Sequence, residues 1–459
     1  MTRTPIIESI QNQDKIIKLF GWVHSTRRMG KIIFVDLRDR TGLIQVVFGS
    51  EMKEASDLRP EYVIEVTGKV ASRSEKNINK ELDTGKIEIQ ASGLVILAKA
   101  KTPPFEISKE RTVEEETRLK YRYLDLRRPR PKNNILLRHR VNKFFRKFLD
   151  ERGFIEVETP ILTNSTPEGA RDYLVPSRLH QGEFFALPQA PQQFKQLLMV
   201  AGLEKYYQIA RCFRDEDTRG DRQPEFTQLD MEMSFVSQED IMQLTEEMFI
   251  ALIKEVCPDK KITLTPFPRL SYADAIAEYK SDKPDLRKNK DNPDEMAFCW
   301  VSNPPLFEFS ETTKKLVSTH HPFTMPVQDQ VKHLDKNPEN VLAQSYDIVL
   351  NGYELGTGSI RIHDIDLQKK IFQILGLKDK EITAKFGHLL EAFSYGVPPH
   401  GGIAPGIDRV IMLLTGEPNI REVIAFPKTS DARDLMMNAP APIDKDQLDE
   451  LGIEIKKKE

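Results

Sequence analysis

The chain has 459 residues, with 67 basic and 70 acidic side chains, so its formal net charge at pH 7 is −3. A chain of this length is too long for one hydrophobic core and should form two or three domains. The near-neutral charge excludes a protein that binds nucleic acid through overall basicity. No stretch approaches the roughly 20 apolar residues of a membrane span, so no membrane partner is expected.

Two further features indicate a cytoplasmic protein. Residues 1–10 lack the basic segment followed by an apolar segment that marks a secretory signal. The three cysteines, Cys212, Cys257 and Cys299, are far apart in the sequence. Without a CxxC pair or a histidine at ligand spacing, they favour neither a zinc site nor a disulfide framework.

The first hundred residues are predicted to form a small β-barrel. Val63 and Glu65 alternate with Ile64, which is typical of a half-buried strand. Five strands in about ninety residues suit an OB-type barrel, so we predict an OB-fold domain at 1–104. The predicted strands lie at 16–21, 32–37, 42–48, 62–70 and 86–97.

The next segment, 105–133, is predicted to be a linker or hinge. It contains an acidic run at 114–116 and a basic, proline-broken stretch at 127–131. Such clusters of charge and proline do not favour a compact fold.

The rest of the chain is predicted to form an α+β domain at 134–440. Apolar side chains recur every three or four residues from Leu137 to Phe148, which predicts a helix. Gly153 stands where a C-terminal cap belongs, and a strand should follow it. A polar run at 281–295 interrupts the domain, and 441–459 is expected to be a charged tail.

Residues 212–235 carry the most informative pattern. Alternation places Leu229, Met231, Met233 and Phe235 on one apolar face of a strand. The opposite face carries an aromatic and acidic groups, which suits the lining of a site. The preceding strand is expected to hold Arg214 and Glu216 on one face. An exposed hairpin with a solvated charged face is the alternative. The residues of the polar face are Phe226, Gln228, Asp230 and Glu232.

Two later segments complete the pattern. Glycines in 400–416 allow close backbone approach to a ligand, and Arg409 falls in the first turn of the helix that follows. Together with Arg214 it can neutralise phosphate from two sides. Asp347 and Glu354 lie on strand-like backbone, as magnesium–phosphate sites use. A packing turn and a hairpin with surface acids are the simpler alternatives.

These residues resemble class II aminoacyl-tRNA synthetases over nearly the whole chain. The segments at 153–160, 213–216 and 406–409 resemble the three motifs of that class. Within it, 166–177, 186–198, 320–324 and 398–409 resemble bacterial-type aspartyl-tRNA synthetases, and 21–39 resembles their anticodon-binding domain. The resemblance implies an OB-fold barrel joined to an antiparallel-sheet catalytic domain flanked by helices.

The resemblance also implies a nucleotide site for ATP. Arg214 and Arg409 would hold the phosphates, Glu216 the adenine amino group, and Phe226 would stack on adenine. Glu354 and Asp347 would bind Mg²⁺, with Arg214, Arg409 and Glu354 as the catalytic set. The remaining residues implied for ATP are Asp215, Gln223, Gly406, Ile407 and Asp408.

For the amino acid, Lys195 and Arg361 would pair with the aspartate side chain, and His320 would close the pocket. Asparagine would leave these two cations underneutralised, at a cost of several kcal/mol. Residues implied for the rest of aspartate are Glu168, Gln192, Gln193, Phe194, Arg214 and Asp230. In the barrel, Phe34 would stack on an anticodon base, with Arg27 and Gln45 nearby.

The implied reaction is ATP-dependent formation of aspartyl-adenylate and transfer of aspartate to the 3′ end of tRNA(Asp). Acceptance of tRNA(Asn) stays open, because relatives vary at the position of Met29. A homodimer is implied by the first motif, although its apolar stripe could pack inside one subunit. The chain differs from the bacterial relatives because it lacks an inserted domain. Only the short polar run at 281–295 occupies the position of that domain. The alternatives are an asparaginyl- or lysyl-tRNA synthetase, a tRNA-binding barrel attached to a catalytically inactive paralogue, and a tRNA-free aspartate-adenylating paralogue.

Overall fold

The computed structural model describes residues 2–109, 111–165, 169–311 and 314–456. The chain divides into two compact units. The first comprises Met1–Arg118 and Tyr123–Arg128, and the second comprises Leu119–Arg122 and Pro129–Glu459. In the described residues no helix is both long and apolar enough to cross a membrane.

The first unit contains a closed five-stranded barrel, as predicted. Its strand order is β1-β2-β3-β5-β4 and its interior is filled by alternate apolar side chains such as Leu19, Val35 and Ile64, none of them exposed. Short 3₁₀ helices lie at Ile6–Asn12, Lys53–Asp57 and Glu75–Asn77. The strands are β1 (Ile16–Met29), β2 (Ile32–Arg38), β3 (Leu43–Phe48), β4 (Val63–Ser72) and β5 (Ile87–Ala98).

The prediction that residues 105–133 do not fold compactly is wrong. Two short helices, α1 (Glu115–Lys120) and α2 (Arg122–Asp125), lie within this segment. Glu115 and Glu116 stand in the first turn of α1, where carboxylates interact favourably with the helix N-terminus. Helix α3 (Pro129–Asp150) begins before the predicted boundary at 134, because proline needs no hydrogen-bond acceptor in a first turn.

The second unit is built on a sheet of eight strands with helices against it. The sheet order is β12-β14-β17-β18-β19-β10-β9-β6. Its central pairs, from β14 to β9, are antiparallel, and the outer pairs β12–β14 and β6–β9 are parallel. The strands of the sheet are β6 (Ile155–Glu156), β9 (Lys205–Phe213), β10 (Glu225–Ser234), β12 (Arg269–Ser271), β14 (Phe298–Ser302), β17 (Ser345–Leu350), β18 (Tyr353–Ile360) and β19 (His400–Ile403).

Three two-stranded ribbons and seven further helices complete the described part of this unit. Short 3₁₀ helices lie at Gln328–His333, Pro338–Asn340 and Ile420–Val423. The ribbons pair β7 (Leu174–Pro176) with β8 (Phe184–Ala186), β11 (Lys261–Ile262) with β13 (Glu295–Met296), and β15 (Phe307–Ser310) with β16 (Lys315–Ser318). The helices are α4 (Gln192–Val200), α5 (Gln238–Val256), α6 (Tyr272–Tyr279), α7 (Ile365–Ile374), α8 (Asp379–Ser394), α9 (Ile407–Thr415) and α10 (Lys445–Leu451), the last within the predicted tail.

The main core lies between the sheet and helices α3, α5 and α9. The apolar stripe of α3, from Leu137 to Phe148, is buried there together with Leu229, Met231 and Met233 of β10. The alternation predicted for β10 therefore holds up to Ser234. The placement of Phe235 on the same face is wrong, because β10 ends first: Phe235 has a φ of 60° and is 69% exposed.

The hairpin β17–β18 brings the two predicted metal ligands to one place. Asn351 and Gly352 connect its strands and have φ values of 52° and 85°. Two positive φ values in a two-residue loop match the turn that suits the strand twist of a hairpin. The pairing sets Asp347 opposite Thr357 and Val349 opposite Glu354.

Candidate active site

A cavity of about 400 Å³ lies over the central strands of the eight-stranded sheet. Residues from β10, β18, α4, α9 and the loop between β9 and β10 line it. Most of the predicted site residues meet there, although they are spread over more than 200 positions of the sequence. Those that line the cavity are Gln192, Lys195, Arg214, Glu216, Gln223, Phe226, Asp230, His320, Glu354, Arg361, Gly406, Asp408 and Arg409.

Four of the buried residues form an ion-pair network, here called the buried cluster: Lys195, Asp230, Glu232 and Arg361. Lys195 Nζ lies 2.7 Å from Asp230 Oδ1 and 3.3 Å from Glu232 Oε2. Arg361 donates from Nε and Nη2 to the two oxygens of Glu232, at 2.9 and 3.0 Å. The side chains are at most 2% exposed. With both carboxyls ionised, the four charges sum to zero.

Burial and charge act in opposite directions on the two acids. Burial raises the pKa of the Asp230 carboxyl above its ordinary value, although Lys195 opposes the shift. Burial also disfavours ionised Glu232, but Arg361 and Lys195 outweigh it and hold the pKa of that carboxyl below its ordinary value. Glu232 is therefore the carboxyl that is held ionised by its partners. Asp230 is the carboxyl that can more easily leave its partner for another group.

Two histidines beside the buried cluster are neutral at pH 7. Burial, followed by the charges of Arg361 and Lys195, lowers the pKa of His321 well below its ordinary value. Burial lowers the pKa of His400 to about 4. The Nε2 atom of His321 lies 2.7 Å from Arg361 Nη1, and a neutral ring can accept that hydrogen bond.

A glycine makes room for the buried cluster. Gly402 of β19 lies opposite Glu232 of β10 in the sheet. A Cβ atom at Gly402 would lie 2.1 Å from Glu232 Oε2 and 2.0 Å from the Met231 carbonyl oxygen. No side chain fits at this position, so the glycine-rich strand is needed for the packing of the ion pairs themselves.

Helix α4 presents only one of its faces to the cavity. Gln192 and Lys195, three residues apart, share that face. Gln193 and Phe194 lie on the other sides of the helix and do not line the cavity. Glu168, also predicted to contact aspartate, lies outside the residues that the structure describes.

A second set of charges, here called the open cluster, comprises Arg409, Asp221, Glu354 and Lys283. Arg409 donates from Nη1 to the Glu354 carbonyl oxygen at 2.8 Å, and its Nη2 lies 3.3 Å from Asp221 Oδ2. Lys283 Nζ lies 3.2 Å from Glu354 Oε2. These side chains are 20–34% exposed, in contrast to the buried cluster.

The carboxyls of the hairpin β17–β18 form a candidate metal centre. Burial raises the pKa of Asp347 to about 6, with the charge of Glu354 adding to the shift. Burial has the same tendency at Glu354, but Arg409 and Lys283 hold the pKa of that carboxyl below its ordinary value. Across the described residues, no group of three or more His, Cys, Asp or Glu side chains could hold a metal alone. Substrate phosphates would have to complete any magnesium site.

Arg214 and Phe226 lie side by side in the cavity. Arg214 lies just after β9, which ends at Phe213, and its guanidinium is 5.1 Å from the centre of the Phe226 ring. The prediction that the strand itself carries Arg214 and Glu216 is wrong. Glu216 Oε2 lies 3.6 Å from Arg222 Nη1 in the following loop.

Some residues predicted to contact ATP are engaged within the protein. Gln223 exchanges two hydrogen bonds with the backbone of Lys428, at 2.8 and 3.2 Å. Asp408 accepts from Arg138 and from the Thr227 amide. Asp215 and Ile407 do not line the cavity, and Ile407 is buried in the core. These residues hold the site in shape.

Several buried polar atoms at the cavity lack a hydrogen-bond partner. They include Arg214 Nε, Asp230 Oδ2 and His320 Nε2, all on cavity-lining residues, and Asp347 Oδ1 in the hairpin β17–β18. Buried polar groups are nearly always satisfied in folded proteins. Their concentration here indicates that ligand atoms complete the set, and the unsatisfied Asp347 oxygen fits a cation.

Sequence reasoning assigned no role to three residues that the structure places in the site. Glu232 was located on the polar face of β10 beside Asp230, and that alternation was a sufficient signal for it. His321 adjoins the predicted His320. Lys283 belongs to the polar run at 281–295, which has neither helix nor strand before Glu295, and no pattern in the sequence points to its contact with Glu354.

The barrel brings together its three predicted residues. Arg27 of β1 lies directly opposite Phe34 of β2, and Gln45 of β3 lies opposite Asp36. Arg27 Nη2 and Gln45 Oε1 are 3.4 Å apart. Phe34 is half-buried, so one part of its ring is available to a base.

The family of the chain follows from comparison with known proteins. Residues 114–430 match the family model described as tRNA synthetases class II (D, K and N), and 17–97 match the OB-fold nucleic acid binding domain. The chain belongs to the class II tRNA synthetases. The family expected from the sequence motifs is thereby confirmed.

Similar curated proteins extend over almost the full chain. An aspartate–tRNA(Asp/Asn) ligase of Rubrobacter xylanophilus is 44% identical, covering 97% of this chain and 95% of the relative. An aspartate–tRNA ligase of Bacillus licheniformis is 44% identical and covers 96% of each. The first alignment spans 571 positions whereas the chain has 459 residues. At least 112 of those positions, the difference, hold no residue of this chain, as expected for a missing insertion.

Solved structures show the same fold at lower identity. An aspartyl-tRNA synthetase from Leishmania major gives a TM-score of 0.75 at 22% identity, covering 93% of this chain and 94% of that chain. An asparaginyl-tRNA synthetase from Pyrococcus horikoshii complexed with asparaginyl-adenylate gives 0.73 at 23% identity, covering 91% and 96%. The architecture predicted from the sequence, a barrel joined to an antiparallel-sheet domain, is confirmed.

Proposed function

We propose that the chain is an aspartate–tRNA ligase. It activates L-aspartate with ATP to form aspartyl-adenylate and pyrophosphate, and then transfers the aspartyl group to the 3′ end of tRNA(Asp). The observation that carries the amino-acid specificity is the buried cluster, in which the Asp230 Oδ2 atom lacks a partner.

Charge balance in the buried cluster explains the choice of aspartate. Lys195 and Arg361 already have an internal partner, because Glu232 contacts both. When Asp230 turns to the ammonium group of the substrate, the two cations keep Glu232 alone and one positive charge is uncompensated. The side-chain carboxylate of aspartate supplies the missing negative charge.

Asparagine has the same shape but cannot supply that charge. Leaving a buried cation without a partner costs several kcal/mol, and discrimination on the order of 10⁴ can follow. A lysine substrate would place a third cation beside Lys195 and Arg361. The buried cluster therefore favours aspartate over asparagine and lysine, the two other amino acids named in the description of the matched family.

The open cluster suits the triphosphate. The α-carboxylate of aspartate attacks the α-phosphorus of ATP in line, and pyrophosphate leaves. Arg214 and Arg409 neutralise charge on the phosphates in this step, and positioning does the rest. Asp347 and Glu354 would hold Mg²⁺, which supplies further neutralisation of the phosphate charge. The ribose hydroxyl of the tRNA 3′ end then attacks the activated carbonyl, and AMP leaves.

The barrel is proposed to bind the anticodon. Phe34 offers a ring for base stacking, and Arg27 opposite it offers hydrogen-bond donors. Gln45 is buried and contacts Arg27 and Glu88, so its part is to position Arg27. Whether tRNA(Asn) is a second acceptor is decided by this surface, where Met29 is 69% exposed at the end of β1.

A homodimer is proposed as the assembly, on different grounds from those given by the sequence. The apolar stripe of α3 packs inside the subunit and leaves little for a partner. Leu136, Ile155 and Leu162 remain 45–52% exposed, and β6, which contains Ile155, is the last strand of the sheet. Sedimentation at micromolar concentration should give twice the mass of one chain.

The deciding experiment is charging of purified tRNA(Asp) and tRNA(Asn) transcripts with labelled aspartate and ATP. Charging of tRNA(Asp) alone is expected for a discriminating enzyme. Charging of both would make the chain the first step of an indirect route to Asn-tRNA. If neither is charged while aspartate-dependent pyrophosphate exchange proceeds, the chain is a tRNA-free adenylating enzyme and the proposed transfer step is wrong.

A further inference from the structure

The guanidinium proposed to hold ATP phosphate is already paired with an internal carboxylate. Arg409 Nη2 lies 3.3 Å from Asp221 Oδ2, and Arg409 Nε donates to the Asp221 carbonyl oxygen at 3.4 Å. Arg409 Nη1 is held separately by the Glu354 carbonyl oxygen at 2.8 Å. One residue thus takes two of the guanidinium donors from one side, as an oxyanion of a phosphate would.

The backbone fixes Asp221 in this position. Arg219 and Arg222 exchange two backbone hydrogen bonds at 3.3 and 3.4 Å and close a tight turn with Asp221 near its tip. The Ile420 amide donates to the Gly220 carbonyl oxygen at 2.9 Å and anchors that tip. The contact with Arg409 is therefore built by the loop. Rotation of the short Asp221 side chain is enough to release the carboxylate, while the contact of Arg409 Nε with the Asp221 carbonyl oxygen remains.

We propose that Asp221 competes with nucleotide phosphate for Arg409. This inference rests on the proposed function, since it takes Arg409 to be a phosphate ligand. Asp221 and Arg409 both line the cavity, so the carboxylate occupies a place that an anionic ligand oxygen can take. Two anions cannot share one face of a guanidinium without repulsion, so nucleotide must displace the Asp221 carboxylate in order to bind.

The competition has consequences at both ends of the activation step. It weakens ATP binding, because part of the binding free energy is used to break the internal pair. It also favours release of pyrophosphate, because the carboxylate returns to Arg409 as the product leaves. Asp221 thus promotes turnover by weakening the binding of phosphate groups. Its removal should make both ATP and pyrophosphate bind more tightly.

The test compares Asp221→Asn with Asp217→Asn in the full-length enzyme. Asp217 lies on the same loop and carries the same charge, but has no ion pair with Arg409 among the described residues. Calorimetric titration with ATP and Mg²⁺ should give a dissociation constant about three- to five-fold lower for Asp221→Asn, the size expected for a part-buried ion pair. The KM of pyrophosphate in the exchange reaction should fall in parallel, whereas Asp217→Asn should change both constants less than about two-fold.

A gain in affinity separates this inference from simple damage, which would weaken binding. If Asp221→Asn binds ATP more weakly, Asp221 orients Arg409 and the competition is excluded. Equal affinity in Asp221→Asn and wild type, or an equal gain in both variants, also overturns it. Failure of the wild-type enzyme to bind ATP at all would instead reject the proposed function, so the two failures are distinguishable.

Discussion

The buried cluster and the open cluster contain the same kinds of charge, but they differ in burial. In the buried cluster, Arg361 and Glu232 make two hydrogen bonds at 2.9 and 3.0 Å, and their side chains are at most 2% exposed. In the open cluster, Arg409 lies 3.3 and 3.7 Å from the carboxylates of Asp221 and Glu354, and its side chain is 20% exposed. Breaking a buried pair leaves a charge without compensation, whereas water compensates an exposed one.

This difference matches the two tasks of the site. The amino-acid pocket must reject a neutral analogue of the same shape, so its selectivity depends on charges that water cannot rescue. The nucleotide pocket must bind ATP and release pyrophosphate in each cycle, so its charges have to exchange partners at low cost. We therefore expect substitutions in the buried cluster to reduce stability and activity together, and substitutions in the nucleotide pocket to reduce activity alone.

Glu232→Gln should have the largest effect, because it leaves Lys195 and Arg361 with one carboxylate between them. The free energy of unfolding should fall by about 3–5 kcal/mol, and aspartate-dependent pyrophosphate exchange should be nearly abolished. Denaturant titration measures the first quantity. The matched control is Glu216→Gln, whose partner Arg222 is exposed, and it should lose no more than about 1 kcal/mol. Equal losses in the two variants would remove the distinction between the clusters.

Arg214→Ala should reduce activity without reducing stability. Its guanidinium contacts the Phe226 ring, and the Nε atom has no partner to lose. The rate of pyrophosphate exchange should fall by about 10²–10³, the loss seen when one donor to a developing negative charge is removed. Melting temperature should be unchanged. Arg219→Ala on the adjoining loop is the control and should keep nearly all activity; near-normal exchange in Arg214→Ala would disprove the phosphate assignment.

Phe34→Ala changes the barrel surface and leaves both clusters of the cavity intact, so it should affect tRNA and not the activation of aspartate. Loss of one stacking ring costs about 1–3 kcal/mol per base, so kcat/KM for tRNA(Asp) should fall by about 5- to 150-fold. Pyrophosphate exchange in the absence of tRNA should stay at the wild-type rate. A fall in that rate would mean that the substitution damages the whole chain.

Much of this site can be predicted from the sequence, because several of its residues recur at the spacing of a strand or of a helix. Alternation along β10 placed Asp230 on a polar face, and the spacing of Gln192 and Lys195 placed both on one face of α4. What it could not predict are contacts set by the fold. The pairing of Lys195 and Arg361 with Glu232 depends on how helix α4, strand β10 and the end of β18 meet in the fold.

The same limit explains the errors at the ends of elements. Phe235 continues the apolar alternation of β10, but the chain turns at that residue with a positive φ, which the pattern does not register. The helices in 105–133 were missed because proline and charge clusters usually mark linkers. Here two prolines fall in the first turn of α3, where they are compatible with a helix.

The pH dependence of stability tests whether Lys195 and Arg361 keep Glu232 ionised in the folded chain, and it has the smallest expected effect. The pKa of its carboxyl is below the ordinary value of 4.5 in the folded chain, because the two cations outweigh burial. A lowered pKa adds stability that is present above the unfolded value and is lost as the pH falls through the folded one. The difference in unfolding free energy between wild type and Glu232→Gln should be constant from pH 8 to about pH 6 and should shrink as the pH falls below the ordinary pKa of a glutamate. Denaturant titrations at each pH measure it. A gap that widens on acidification would mean that burial wins at Glu232, and the carboxyl that changes partners would then have to be Glu232 and not Asp230.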